Sequence, residues 1–71
     1  MSEVTKVSYK KLWLILVQND MKKSDLRELA DISPSTMTKL NKNEFVALSV
    51  LVKICNVLKC DIGDIMEVII S

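Results

Sequence analysis

Asp31-Ile32-Ser33-Pro34-Ser35-Thr36-Met37-Thr38-Lys39-Leu40-Asn41 carries the sharpest local signal in this 71-residue chain. A Ser hydroxyl just ahead of a helix accepts a hydrogen bond from a backbone N–H two or three residues on. Pro at the next position loses nothing, because the first helical N–H has no partner inside the helix. Ser33-Pro34 therefore predicts a helix running from Pro34 to about Asn41. Met37 and Leu40 fall on its inward side, and Ser35, Thr38, Lys39 and Lys42 on the other.

Outward from this helix the pattern stays helical. Lys23 to Ala30 reads as a short helix with Leu26, Leu29 and Ala30 inward, and with Asp25 and Glu28 near its start, where negative charge suits the helix dipole. Only a tight turn separates the two. Asn41-Lys42-Asn43-Glu44 reads as a loop. Upstream, Tyr9, Leu12, Trp13, Leu16 and Val17 recur at i, i+3, i+4, i+7 and i+8, the stripe of a helix that begins at Ser8 and ends at Asn19-Asp20. The run Leu12 to Val17 also suits a buried strand, but Lys10-Lys11 and Gln18-Asn19 extend it past strand length with no turn residue. Downstream, Leu48, Leu51, Ile54, Cys55 and Leu58 mark a fourth helix over Leu48 to Leu58, although its Val content also permits a strand. Asp61 and Asp64 resemble a capping box, opening a fifth helix from Ile62 to about Val68 with Ile65 and Met66 inward. The expected architecture is all-α: an N-terminal arm over 1–7, then one compact five-helix domain over 8–71 with no repeat, linker or low-complexity stretch.

Composition agrees. Hydrophobic residues make up 49% of the chain, with one Gly and one Pro, which suits packed helices on short turns. The net charge is only +1, so the sum does not announce a nucleic-acid partner. The distribution says more. Residues 1–42 hold eight basic and five acidic groups, a balance of +3, and residues 43–71 hold two and four, a balance of −2. Ordinary scatter of surface charge explains the asymmetry equally well.

Several classes of function are excluded. There is no His, and Cys55 and Cys60 are the only cysteines, so no zinc ligand set exists and no metal or cofactor is expected. No phosphate-binding loop is present and the carboxylates read as caps and surface groups, so the chain is not expected to be an enzyme. Met1-Ser2-Glu3 leads into polar residues rather than the apolar core of a leader. The longest apolar run, Leu12 to Val17, falls far short of the about 20 residues that cross a membrane. A cytoplasmic, nucleoid-associated protein with reduced thiols is the expectation.

The stretch Met21-Lys-Lys-Ser-Asp-Leu-Arg-Glu-Leu-Ala-Asp-Ile-Ser-Pro-Ser-Thr-Met-Thr-Lys-Leu40 resembles the helix-turn-helix of the Cro/C1 family, also called the xenobiotic-response-element type. Leu51-Val-Lys-Ile-Cys-Asn-Val-Leu58 and Asp61-Ile-Gly-Asp-Ile65 are similar to that family's fourth and fifth helices. The resemblance implies a five-helix Cro/C1 repressor-like fold whose second helix-turn-helix element enters the major groove. It also implies roles. Pro34, Ser35, Thr38 and Lys39 face the groove as the base-reading set. Lys22, Lys23, Ser33, Thr36, Asn41, Lys42 and Asn43 form the phosphate-binding set. Three residues depart from the family pattern. Arg27 stands where Ala usually packs, Asp31 stands where Gly usually takes positive φ, and Pro34 offers no side-chain hydrogen bond. Base reading therefore narrows to Ser35, Thr38 and Lys39.

Leu14, Ile15, Phe45, Val46, Ile69 and Ile70 exceed what a core of this size can bury, and exposed apolar patches mark partner surfaces. A homodimer is expected, with Ile65, Val68, Ile69 and Ile70 at its interface. A tail folded back on its own core is the competing reading. The function expected is that of a sequence-specific double-stranded-DNA-binding transcriptional regulator, a repressor with no small-molecule effector. A protein-interaction module, such as an antitoxin-like partner of a toxin, is the alternative, since fold does not fix function.

Overall fold

The computed structural model describes residues 5–70. Residues 1–4 of the expected arm, and Ser71, lie outside the described residues. The order of elements is β1 (Thr5–Ser8), α1 (Lys10–Gln18), α2 (Lys23–Leu29), α3 (Pro34–Asn41), α4 (Leu48–Leu58), α5 (Ile62–Ile65) and β2 (Glu67–Ile70). The five helices enclose one core of Tyr9, Leu12, Leu16, Leu26, Ala30, Ile32, Met37, Leu40, Leu51, Ile54 and Ile65, with Val7 of β1 at its edge.

α1 to α4 each run into a left-handed residue. Asp20, Asp31, Asn43 and Lys59 each take positive φ, between 53° and 58°. After α1, Asp20 N–H donates to Val17 O and Met21 N–H to Leu16 O; after α2, Asp31 donates to Glu28 and Ile32 to Arg27; after α3, Asn43 donates to Leu40 and Glu44 to Lys39. This double closure satisfies the orphan carbonyls of a helix end. Gly usually occupies the left-handed position, and here Asp and Asn fill three of the four. The chain's single glycine, Gly63, sits inside α5 instead.

The two ends of the chain form a ribbon that the helical reading omitted. β1 and β2 pair antiparallel, with Thr5 opposite Ile70, Lys6 opposite Ile69, Val7 opposite Val68 and Ser8 opposite Glu67. Residues 5–7 of the expected arm are thus a strand. The fifth helix stops at Ile65 rather than Val68, because Met66 is already extended at φ −149° and ψ 165°. Val68-Ile69-Ile70 is a β-branched run, stiff at χ1 and suited to a pleated surface. Ile65, expected at a dimer face, is fully buried in the chain's own core, so it presents no surface to a partner. Val17 and Leu29, expected inward, are 72% and 61% exposed. Both lie in the last turn of their helices, where the apolar stripe runs past its packing neighbours.

Candidate nucleic-acid interface

α2, the turn Ala30–Ser33 and α3 form the candidate surface. The turn is short because Asp31 reverses the chain at φ 55°, and Ile32 fixes it by burying its side chain under both helices' core residues. Ser33 then caps α3: its Oγ accepts from Thr36 N–H at 3.3 Å and donates to Thr36 Oγ1 at 2.9 Å. Ser33 Oγ also lies 3.2 Å from Ser35 Oγ. Met37 and Leu40 anchor the helix in the core, as their spacing required.

Pro34, Ser35, Thr38 and Lys39 are all exposed. Their spacing of one, four and five residues along α3 places them on one solvent face. Thr38 Oγ1–H donates to Pro34 O at 3.1 Å. Its lone pairs stay open to a base amino group, and its methyl group to thymine. Ser33 and Thr36 are partnered with each other, so their first role is to start the helix.

Of the other phosphate candidates, Lys22 and Lys42 are exposed at the start of α2 and the end of α3. Lys22 N–H donates to Asp25 Oδ2 at 3.0 Å, the reach-back half of a capping box. Asn43 is partly committed: its Oδ1 accepts from Tyr9 N–H at 3.1 Å. The Tyr9 hydroxyl donates to Glu44 O at 2.8 Å. These bonds tie the loop after α3 to the start of α1. Burial of Tyr9 pushes its phenol above the ordinary tyrosine range.

Lys23 and Asn41 come together, although 18 residues separate them. Lys23 Nζ donates to Asn41 Oδ1 at 2.8 Å and lies 4.3 Å from the centroid of the Trp13 ring. Trp13 was missed as a member of the site. Its helical spacing places it on the apolar stripe of α1, and no local signal links it to Lys23 on another helix.

Away from this surface, Cys55 and Cys60 are half-buried free thiols. Burial raises both above the usual thiol range, and the Asp61 and Asp64 carboxylates add to it, which disfavours thiolate chemistry. Among the described residues no group of three or more metal-ligating side chains gathers, and no helix is long and apolar enough to cross a membrane.

The family profile for the Cro/C1-type HTH DNA-binding domain matches residues 11–70. The chain belongs to the Cro/C1-type helix-turn-helix DNA-binding family. A crystal structure of the transcriptional regulator VanUg, Form II, is similar at a TM-score of 0.91 and 52% sequence identity, covering 94% of this chain and 89% of that one. No curated protein matches. In this Cro/C1 domain, α2 and α3 are the helix-turn-helix, and the sequence-predicted base-reading residues all lie on the solvent side of α3.

Proposed function

We propose that this Cro/C1 domain is a sequence-specific transcriptional regulator that binds duplex DNA with α3 in the major groove and acts as a repressor. The observation that carries the reading is the exposed face Pro34, Ser35, Thr38 and Lys39 on a helix capped at one end and closed at the other. A rigid, core-anchored helix with short polar and basic side chains suits base edges. Exposed Lys22, Lys42 and Lys23 flank it for phosphates. Operator occupancy represses without any contact beyond the DNA face. A cytoplasmic location on the nucleoid follows from this role.

The decisive test uses a random duplex library from which the wild type and a Thr38→Ala/Lys39→Ala variant each select their preferred sequence. The variant is expected to lose or change the preference at two or more adjacent positions while still binding DNA. Identical selected sequences would remove α3 from the reading role.

The working form in this reading is a homodimer joined through β2. Val68, Ile69 and Ile70 are all exposed, Ile70 at 76%. β2 belongs to a two-stranded sheet, so one of its edges carries unpaired backbone groups, a template for another strand. Antiparallel pairing of two β2 strands is self-complementary about a two-fold axis, and two-fold readers engage half-sites about one helical turn apart. In sedimentation, an Ile69→Asp/Ile70→Asp variant is expected to run as a monomer; an unchanged mass would place the interface elsewhere. A second reading, a protein-interaction module, draws on the same apolar surface and on Phe45, which is 66% exposed. It predicts that purified protein leaves duplex DNA unbound even at low salt.

A further inference from the structure

A surface lysine normally meets a phosphate as a mobile point charge on a flexible four-carbon stem. Lys23 is different. It is the first residue of α2, and its Nζ is held from two sides: by Asn41, the last residue of α3, at 2.8 Å, and by the Trp13 ring of α1 at 4.3 Å. Three helices therefore converge on one ammonium group. An ammonium has three donors and no acceptor. Asn41 must therefore turn its carbonyl oxygen toward Lys23, which leaves its NH2 group pointing the other way. The indole face attracts the cation without consuming an acceptor. Lys23 and Asn41 are both exposed, and Trp13 is half-buried beneath them.

We infer that Trp13, Lys23 and Asn41 form one pre-assembled clamp for a single backbone phosphate of duplex DNA, with Trp13 as its positioning residue. The inference rests on the DNA-binding reading above. Lys23 supplies charge and a free N–H, and Asn41 supplies an amide N–H beside it. Trp13 keeps the ammonium in place before DNA arrives, so less freedom is lost on binding. The clamp sits at the junction of α2 and the end of α3, and so fixes the register of the reading helix.

The test measures log K against log salt for a labelled duplex. Each phosphate contact contributes a slope of about 0.9. Lys23→Met is expected to lower the slope by about 0.9 per bound copy. Trp13→Leu frees the ammonium but keeps its charge, so it is expected to weaken K several-fold at fixed salt with the slope unchanged, and to weaken it no further in the Lys23→Met background. Trp13→Phe keeps an aromatic face and is expected to restore the wild-type K. A Trp13→Leu variant that binds as the wild type does, or that weakens binding equally with and without Lys23, would make Trp13 a packing residue and overturn its role. An unchanged slope in Lys23→Met would abolish the clamp while leaving DNA binding intact. Failure of the wild type to bind duplex at low salt would instead remove the DNA reading and the clamp with it. A second readout does not depend on how well Trp13→Leu folds. Trp13 is the only tryptophan, so its emission is expected to shift when Lys23 becomes Met and on duplex binding in the wild type alone. Identical emission in wild type and Lys23→Met, free and bound, contradicts the clamp.

Discussion

Lys59 ends α4 at φ 56°, a conformation that costs an ordinary L-residue about 1–2 kcal/mol. Asp20, Asp31 and Asn43 tolerate it better because of their short polar side chains. Lys59→Gly is therefore expected to stabilise the domain by about 0.5–1 kcal/mol after the entropy of the unfolded glycine is deducted. Thermal unfolding should show a rise of several degrees in Tm, and no rise would mean that Lys59 is not strained. The Ser33 cap is tested in the opposite direction: Ser33→Ala should cost about 1 kcal/mol in urea unfolding. Tyr9 gives a pH dependence. Its phenol is raised in the folded state, so the unfolded chain loses that proton first as pH climbs past about 10. Stability should fall there, and Tyr9→Phe should flatten that part of the curve. Ser33 was legible from sequence because a cap is local chemistry, and the left-handed position of Asp31 was legible through the family resemblance, which puts a glycine there. The ring under Lys23 was not, because that contact depends on how α1 meets α2.

Among the elements, α3 and α4 run over the spans their sequences predicted, Pro34–Asn41 and Leu48–Leu58. Ser33-Pro34 supplies a start signal for α3, and the Leu51, Ile54, Leu58 spacing supplies the period for α4. The β ribbon was not legible. Its strands lie at opposite ends of the chain, and Val68-Ile69-Ile70 continues an apolar pattern that a helix could use equally well. Only the tertiary pairing of Val7 with Val68 decides between them. Val7 is the one buried residue among Lys6, Val7 and Ser8 of β1. Val7→Ala removes two methyl groups from that contact and should cost about 1.5 kcal/mol at about 0.8 kcal/mol per methylene equivalent. The same change should speed amide exchange along Lys6–Ser8 and Glu67–Ile70. A loss confined to global stability, with ribbon exchange untouched, would argue against the ribbon as a separate lock.

For the whole molecule, the low net charge and the asymmetry between the two halves now have a geometric context. Lys22, Lys23, Lys39 and Lys42 all belong to the helix-turn-helix or its flanks, whereas the acidic second half builds α4, α5 and β2. A chain of net charge +1 gains little from long-range attraction to DNA, so affinity must come from the placed contacts, and the proposed second copy would add its own set. The most direct check is a titration of the purified protein with labelled duplex at 50 mM and 200 mM salt. The prediction is saturable binding at the lower salt that weakens at the higher by about 40-fold for each bound copy, the fall expected for about three phosphate contacts per copy. Absence of binding at 50 mM, or binding indifferent to salt, would contradict the claim that the α2–α3 surface is a DNA-binding face.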